Sequence, residues 1–372
     1  VIVGVDAREL VGQPTGTGRY LRNLLSHWSE AAHSGRHRIV AYFNGTRPAD
    51  GVLDRPGIVC RSPNTRPVHG LVWQERVLPS AARSDGLTVF FSPAYSCPLR
   101  LDAPRVTAVH DLSFFSMPQD FRFTEALRRR LFTARSIRVS RRILACSRFT
   151  AREIADRFPE AADRTRTILL AAEEGAAPAP DRHAARAALG ATGPYLITVG
   201  SVFNRRRLPE LTFAASRLAR RWPGLVLDVV GDNRTYPRLD LRSLADRSGL
   251  GPRLRVSGFV TEADLRLRYA AADLAVFLSD YEGFGLPALE AAAHGVPLLV
   301  SRRPSLGEVF ADAARLVDGT DADAVAAEAG RILEDPEAAA SLRGRGLSLA
   351  RRLSWASTAR ETWAALEEAA RA

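Results

Sequence analysis

Short runs of branched and aromatic apolar residues alternate along the chain with longer segments whose apolar positions recur every three or four residues. The first pattern marks buried strands and the second amphipathic helices. Strands are expected at 1–6, 39–43, 57–60, 88–92, 106–110, 143–147 and 165–170, and again at 195–200, 225–231, 254–256, 272–278 and 297–301. Helical spacing fills most gaps, as at 69–82, 121–142, 148–158, 288–294 and 355–372. Such alternation predicts α/β architecture, with parallel sheets covered by helices on both faces and ligands gathered beyond the carboxyl ends of the strands. Periodicity lapses at Glu173-Glu174-Gly175-Ala176-Ala177-Pro178-Ala179-Pro180-Asp181, which reads as an interdomain linker.

Length agrees with two domains, since 372 residues exceed the roughly 100–200 typical of one. No apolar run approaches the ~20 residues that span a bilayer, and the first residues read as a strand, so a soluble cytoplasmic protein is expected. Cys60, Cys97 and Cys146 lack metal-type spacing and read as reduced thiols. The net charge of +11 comes from arginine alone, a compositional bias that by itself selects no partner.

Candidate chemistry concentrates in Ser279-Asp280-Tyr281-Glu282-Gly283-Phe284-Gly285-Leu286-Pro287, where a buried strand empties through a glycine turn into a helix. The glycines allow close backbone approach, and a helix start favours a phosphate. Glu282 and Glu290 can face one cavity from that turn, where carboxylates suit hydroxyl groups better than phosphates. The same pattern is also served by a solvated loop acid and a charge favoured by the helix dipole. Gly16-Thr17-Gly18 forms a second glycine turn at a helix start, and Arg205-Arg206-Arg207 sets planar phosphate donors at a strand tip. His110 and Asp111 end a buried strand. Arg128 to Arg142 is an arginine-rich helix interleaved with Phe123, Leu127, Leu131, Phe132 and Ile137. It reads as a solvated face over a core stripe, or as a patch for anionic lipid or an acceptor phosphate. Asp321-Ala322-Asp323 reads as a helix N-cap in preference to a metal motif. No nucleic-acid-binding motif is present.

Glu282-x7-Glu290 enclosing Gly-Phe-Gly-Leu-Pro resembles the signature of the retaining GT-B glycosyltransferases of family 4, particularly bacterial mannosyltransferases of polysaccharide synthesis. The resemblance covers nearly the whole chain. It implies two Rossmann-like domains facing across a cleft: 1–176 on the acceptor side, completed by a returning helix at 356–372, and 177–355 holding a nucleotide sugar. It also implies that Arg205 and Arg206 clamp the diphosphate, Arg206 standing where the family usually has lysine, and that Ser201 replaces an arginine found in some members. Glu290 would take ribose hydroxyls and Glu282 sugar hydroxyls. His110 would contact the transferred sugar, with Asp111 beside it. Gly16, Thr17 and Gly18 would lie over the diphosphate, Gly258, Phe259 and Val260 beside the base, and Phe284, Gly285 and Leu286 beside the donor. Catalysis is thus expected of His110, Glu282 and Arg206, without a metal or tightly bound cofactor. The implied substrates are a nucleotide sugar, GDP-mannose favoured over a UDP-sugar, and a glycan or lipid-linked acceptor; the Arg128–Arg142 patch, read from its own residues, would on its lipid reading face the inner membrane surface. The alternatives are an epimerase or phosphorylase on the same fold, or a non-catalytic glycan or nucleotide binder.

Overall fold

The computed structural model describes residues 1–12, 16–32, 37–172 and 180–371. Two compact units form, one from Val1–Phe115, Thr124–Leu170 and Ser354–Ala372, the other from Ser116–Phe123 and Ala171–Leu353. Most of the expected linker, 173–179, and Thr15 lie outside the described residues.

The first unit is built on strands β1 (Ile2–Asp6), β2 (Arg38–Tyr42), β3 (Ile58–Arg61), β4 (Val89–Ser92), β5 (Arg105–Val109), β6 (Arg142–Ala145) and β7 (Thr165–Thr167). They pair in parallel in the order β3-β2-β1-β4-β5-β6-β7. The continuous apolar runs of the inner strands follow from burial on both faces: Val3, Val5, Val40, Phe90, Phe91, Val106 and Val109 are fully enclosed. The expected 69–82 helix is observed in three joined pieces, Gly70–Val72, a π-helical stretch Trp73–Val77, and Leu78–Ala82. The closing helix Trp355–Arg371 packs on the first helix, Gly16–Ala32. Trp28 donates its indole N–H to the Ala359 carbonyl at 2.9 Å and meets Trp363 edge-on at 5.5 Å, and the Thr358 hydroxyl donates to the Leu169 carbonyl at 2.8 Å.

The second unit repeats the plan with β8 (Tyr195–Val199), β9 (Val226–Val230), β10 (Leu254–Ser257), β11 (Leu274–Phe277), β12 (Leu298–Ser301) and β13 (Arg315–Val317), parallel in the order β10-β9-β8-β11-β12-β13. Its core joins Leu196, Leu227, Val229, Leu274, Val276 and Leu299 to Leu211, Ala215 and Leu218 of the Leu208–Arg221 helix. Asp228, a fully buried acid inside β9, is met by the Tyr195 hydroxyl at 2.6 Å and by Arg268. Both units are therefore Rossmann-like. Each sheet reverses its strand order once, between β1 and β4 in the first unit and between β8 and β11 in the second, and at such reversals adjacent loops part and leave room for a ligand.

Helix starts follow the expected chemistry. Ser147 caps the Arg148–Arg157 helix by accepting from the Thr150 N–H, and Asp321 accepts from the N–H groups of Asp323 and Ala324. Among the described residues no helix is long and apolar enough to cross a membrane. The Phe123–Val139 helix departs from expectation. Its buried side carries Ala126, Thr133, Ser136 and Ile137, while Phe123, Leu127 and Leu131 face solvent.

Candidate active site

In the second unit the reversal brings the loop after β8, Gly200 to Arg207, against the loop after β11, Leu278 to Gly285. Two of the sequence candidates meet there as partners of one another. Arg206 places its Nε 2.9 Å from Glu282 Oε1, and its guanidinium lies over the Phe277 ring at 4.1 Å. Burial lowers the Arg206 pKa, and the Glu282 carboxylate offsets only part of that cost. Ser279 holds Glu282 from the other side, its hydroxyl 2.8 Å from Oε1.

Arg205 is buried. Its guanidinium stacks over Phe203 at 4.3 Å, its Nε donates to the Tyr281 carbonyl at 3.2 Å, and its own carbonyl accepts from the Asp280 N–H at 2.8 Å. One of its terminal nitrogens is enclosed without a hydrogen-bond partner, a donor whose burial is costly until an acceptor arrives. Arg207, in left-handed conformation at φ 49°, pairs with Asp280 at 2.5 Å and Glu210 at 2.9 Å, and Arg303 reaches Asp280 at 2.9 Å. The three arginines thus differ in role: Arg205, buried, and Arg206, half-buried, are stacked at the loop junction, and the third laces the loops together.

Glycine is required where these loops crowd. At Gly285, φ is +95°, and a Cβ would stand 2.7 Å from Leu306 Cδ2. A Cβ on Gly231 would fall 2.2 Å from the Gly200 carbonyl oxygen, so the loops after β8 and β9 touch through bare backbone. Above Gly200, at the position of a hypothetical Cβ, Pro287 Cγ is 3.3 Å away and Arg206 Nη2 3.7 Å away. The Arg206 guanidinium therefore lies beside the start of the Leu286–Ala293 helix, which no side chain caps. Phe284 is buried in this turn, and Glu290 stands half-buried on the same helix. Gly258, Phe259 and Val260 follow β10 at the sheet edge, where Phe259 is 52% exposed.

Sequence reasoning passed over Asp120. Its carboxyl accepts from the Arg205 N–H, and burial, opposed by Arg205, raises its pKa above the ordinary aspartate value. One of its oxygens has no hydrogen-bond partner. No local pattern announces this contact, because Asp120 and Arg205 lie far apart in sequence.

In the first unit, Gly16, Thr17 and Gly18 are the opening turn of the Gly16–Ala32 helix, at the helix start their sequence predicts. Tyr20, just beyond, meets His110 edge-on at 5.0 Å. The His110 Nε2 lies 2.7 Å from the Pro93 carbonyl, a contact that requires an N–H there and leaves Nδ1 as the hydrogen-bond acceptor. Burial lowers the His110 pKa, against the opposing pull of that carbonyl and Asp111, so the ring is neutral at pH 7. Asp111 accepts from the Ser113 N–H and hydroxyl and from the Tyr95 hydroxyl, an internal set of partners.

A cavity of about 220 Å³ opens at the β1/β4 reversal, lined by Arg8, Glu9, Gln74, Tyr95, Ser96 and Arg128 among others. Asp6, 3.0 Å away, and the Gln74 carbonyl, 3.1 Å away, fix the Arg8 guanidinium, and Gln74 is held in turn by Ser96 and the Cys97 carbonyl. Burial raises the Glu9 pKa, with Arg8 opposing. The lining carries Arg8, Arg128 and Arg129 against one acid, Glu9; Asp6 pairs with Arg8 and Glu125 with Arg129 from outside it, and the donors and acceptors that remain can meet a hydroxyl-rich ligand. Arg8, Glu9 and Gln74 escaped sequence reasoning because nothing in their spacing marks them.

Residues 14–170 match the family described as Glycosyltransferase Family 4, and residues 181–347 match that described as Glycosyl transferases group 1. The chain is similar to O-antigen chain mannosyltransferase B of Escherichia coli, 30% identical over 277 residues, covering 74% of this chain and 72% of that protein. It is 31% identical over 179 residues to the GDP-mannose-dependent alpha-(1-6)-phosphatidylinositol monomannoside mannosyltransferase of Mycolicibacterium smegmatis, covering 45% of this chain and 46% of that one. Among solved structures, sucrose-phosphate synthase of Thermosynechococcus elongatus superposes with a TM-score of 0.79 at 20% identity, over 99% of this chain and 98% of that one.

Proposed function

Because the chain belongs to the family 4 retaining glycosyltransferases of GT-B fold, which draw on nucleotide sugars, we propose that it moves mannose from GDP-mannose to a hydroxyl of a glycan or lipid-linked acceptor in surface polysaccharide synthesis. The observation that carries this reading is the largely enclosed Arg206–Glu282 pair at the β8/β11 reversal, beside glycine turns and an uncapped helix start. The donor diphosphate engages Arg206, the enclosed Arg205 nitrogen and the helix start, groups that stabilise the charge growing on the leaving diphosphate. That exchange frees the Glu282 carboxylate to accept from sugar hydroxyls. Glu290 accepts from the ribose, and the backbone of Gly258, Phe259 and Val260 meets the base. In the first unit, the neutral His110 supplies Nδ1 to a sugar hydroxyl, with Asp111 bracing its turn. Gly16, Thr17 and Gly18 allow close approach to the diphosphate.

Glu282 is occupied with hydroxyl groups, so no carboxylate is assigned as a covalent nucleophile. The acceptor hydroxyl attacks from the side the diphosphate leaves, and its proton passes to the departing phosphate oxygen. The cavity with Arg8, Glu9 and Gln74 takes the acceptor sugar. Mannose and GDP are supported by the names of the relatives above.

The test is incubation with GDP-mannose, or with UDP-sugars, and a panel of glycan and lipid-linked acceptors, followed by mass spectrometry and NMR of the product. A mannosyl product with the anomeric configuration of the donor is expected. Transfer from UDP-sugars alone would replace the donor, and inversion or a trapped glycosyl-enzyme would overturn the mechanism.

A further inference from the structure

The Phe123–Val139 helix turns its apolar residues the wrong way for a protein surrounded only by water. Phe123 is 79% exposed, Leu127 44%, Leu131 46% and Val139 41%. At 3.6 residues per turn these four fall on the side opposite the buried Ala126, Thr133, Ser136 and Ile137. Arg128, Arg135 and Arg138 are exposed on that same side, Arg138 leaning to Glu160 at 3.3 Å. The helix holds one acid, Glu125, and it is ion-paired with Arg129 at 2.8 Å. Arg141 continues the basic surface just past the helix end.

Large apolar side chains interleaved with arginines, with little opposing charge, match a boundary that is apolar inside and negative at its surface. From this charge complementarity we propose that the outer face of the Phe123–Val139 helix rests on an anionic lipid bilayer, with the apolar residues among the acyl chains and the arginines at the phosphate level. Arg128, Arg129 and Phe132 of the same helix line the cavity assigned to the acceptor. A lipid-anchored acceptor would therefore meet its pocket next to the docking helix. That consequence rests on the acceptor reading; the docking itself does not, because it is measured without any nucleotide sugar.

The experiment is co-sedimentation of the full chain with vesicles of phosphatidylcholine alone and of phosphatidylcholine mixed with phosphatidylglycerol. Binding should require phosphatidylglycerol and weaken as salt is raised. The combined variant Arg135→Gln and Arg141→Gln should bind about twenty-five-fold more weakly, at roughly fivefold per arginine near an anionic surface. Phe123→Ser, Leu127→Ser and Leu131→Ser together should also release the protein, with an unchanged melting temperature because these side chains are already in solvent. Equal sedimentation with neutral and anionic vesicles, or binding indifferent to both variants, would overturn the proposal. So would a protein that stays off vesicles but forms a concentration-dependent dimer broken by the serine variant, a result that assigns the face to a second copy of the chain.

Discussion

Glu282→Gln separates the structural and chemical parts of the site. Glu282 balances the Arg206 guanidinium, with only 10% and 15% of the two side chains exposed. Glutamine keeps the shape and can still accept from the Ser279 hydroxyl, but it leaves a cation stacked on Phe277 without its anion. Removing one member of a buried pair typically costs about 3–5 kcal/mol. The partial exposure and the ring contact favour the lower end, about 3 kcal/mol. For a unit of this size that corresponds to a melting temperature lower by roughly 6–12 °C. The assay is thermal unfolding of wild type and variant, each with and without GDP. GDP should narrow the gap, because its diphosphate gives Arg206 a new anion and binding stabilises the folded state. Sugar transfer should remain low in the variant, whose side chain no longer offers a carboxylate to the sugar. A drop below about 2 °C without ligand would place the pair among screened surface ion pairs and refute the reasoning.

Gly285→Ala should destabilise the second unit by about 1–3 kcal/mol, because its φ of +95° and the Leu306 methyl 2.7 Å from the new Cβ both oppose a side chain; an unchanged melting temperature would contradict this. Burial raises the Asp85 pKa, but hydrogen bonds from Arg61 and Tyr42 outweigh it and hold the carboxyl below its ordinary value. Its contribution is therefore full above the unfolded value near 3.9 and is lost as pH falls through the folded value. Asp85→Asn should be less stable by about 1 kcal/mol at neutral pH, with the difference in urea midpoint closing in acid; a difference that does not shrink as pH falls below about 3.9 would argue against the assignment. Burial keeps His110 neutral, so its stability contribution is present above about pH 6.5 and lost as pH falls below it. Nitrogen NMR should find the Nε2–H tautomer at neutral pH, and an Nδ1–H form would reverse the hydrogen-bond roles assigned to the ring.

Alternation of apolar runs and helical spacing was enough to place both sheets. Most observed strands begin or end within a residue or two of expectation, as β5, expected at 106–110, does at Arg105–Val109. β13 was missed because Arg315–Val317 offers only two apolar residues between helices. The Phe123–Val139 helix was legible as a helix, but not its orientation. Periodicity finds the apolar stripe, and here Ala126, Thr133 and Ser136 are buried because small side chains let the helix lie close to the unit. At the site the chemistry-bearing residue types were legible, since glycine turns, arginines and the spaced glutamates occupy a recognisable pattern. Their partnerships were not. Arg206 and Glu282 lie 76 residues apart, and only the neighbouring of β8 and β11 joins them. The same distance hid the lacing of Arg207 to Asp280, the contact of Asp120 with Arg205, and the cavity role of Glu9.

Calorimetric titration of GDP-mannose into wild type, Arg206→Ala and Glu290→Gln tests the central claim most directly. One site per chain is expected for the wild type, with affinity at least tenfold weaker in each variant and no change in the binding of free mannose. Equal affinity for all three proteins, with their folds intact, would contradict a donor held at the β8/β11 reversal.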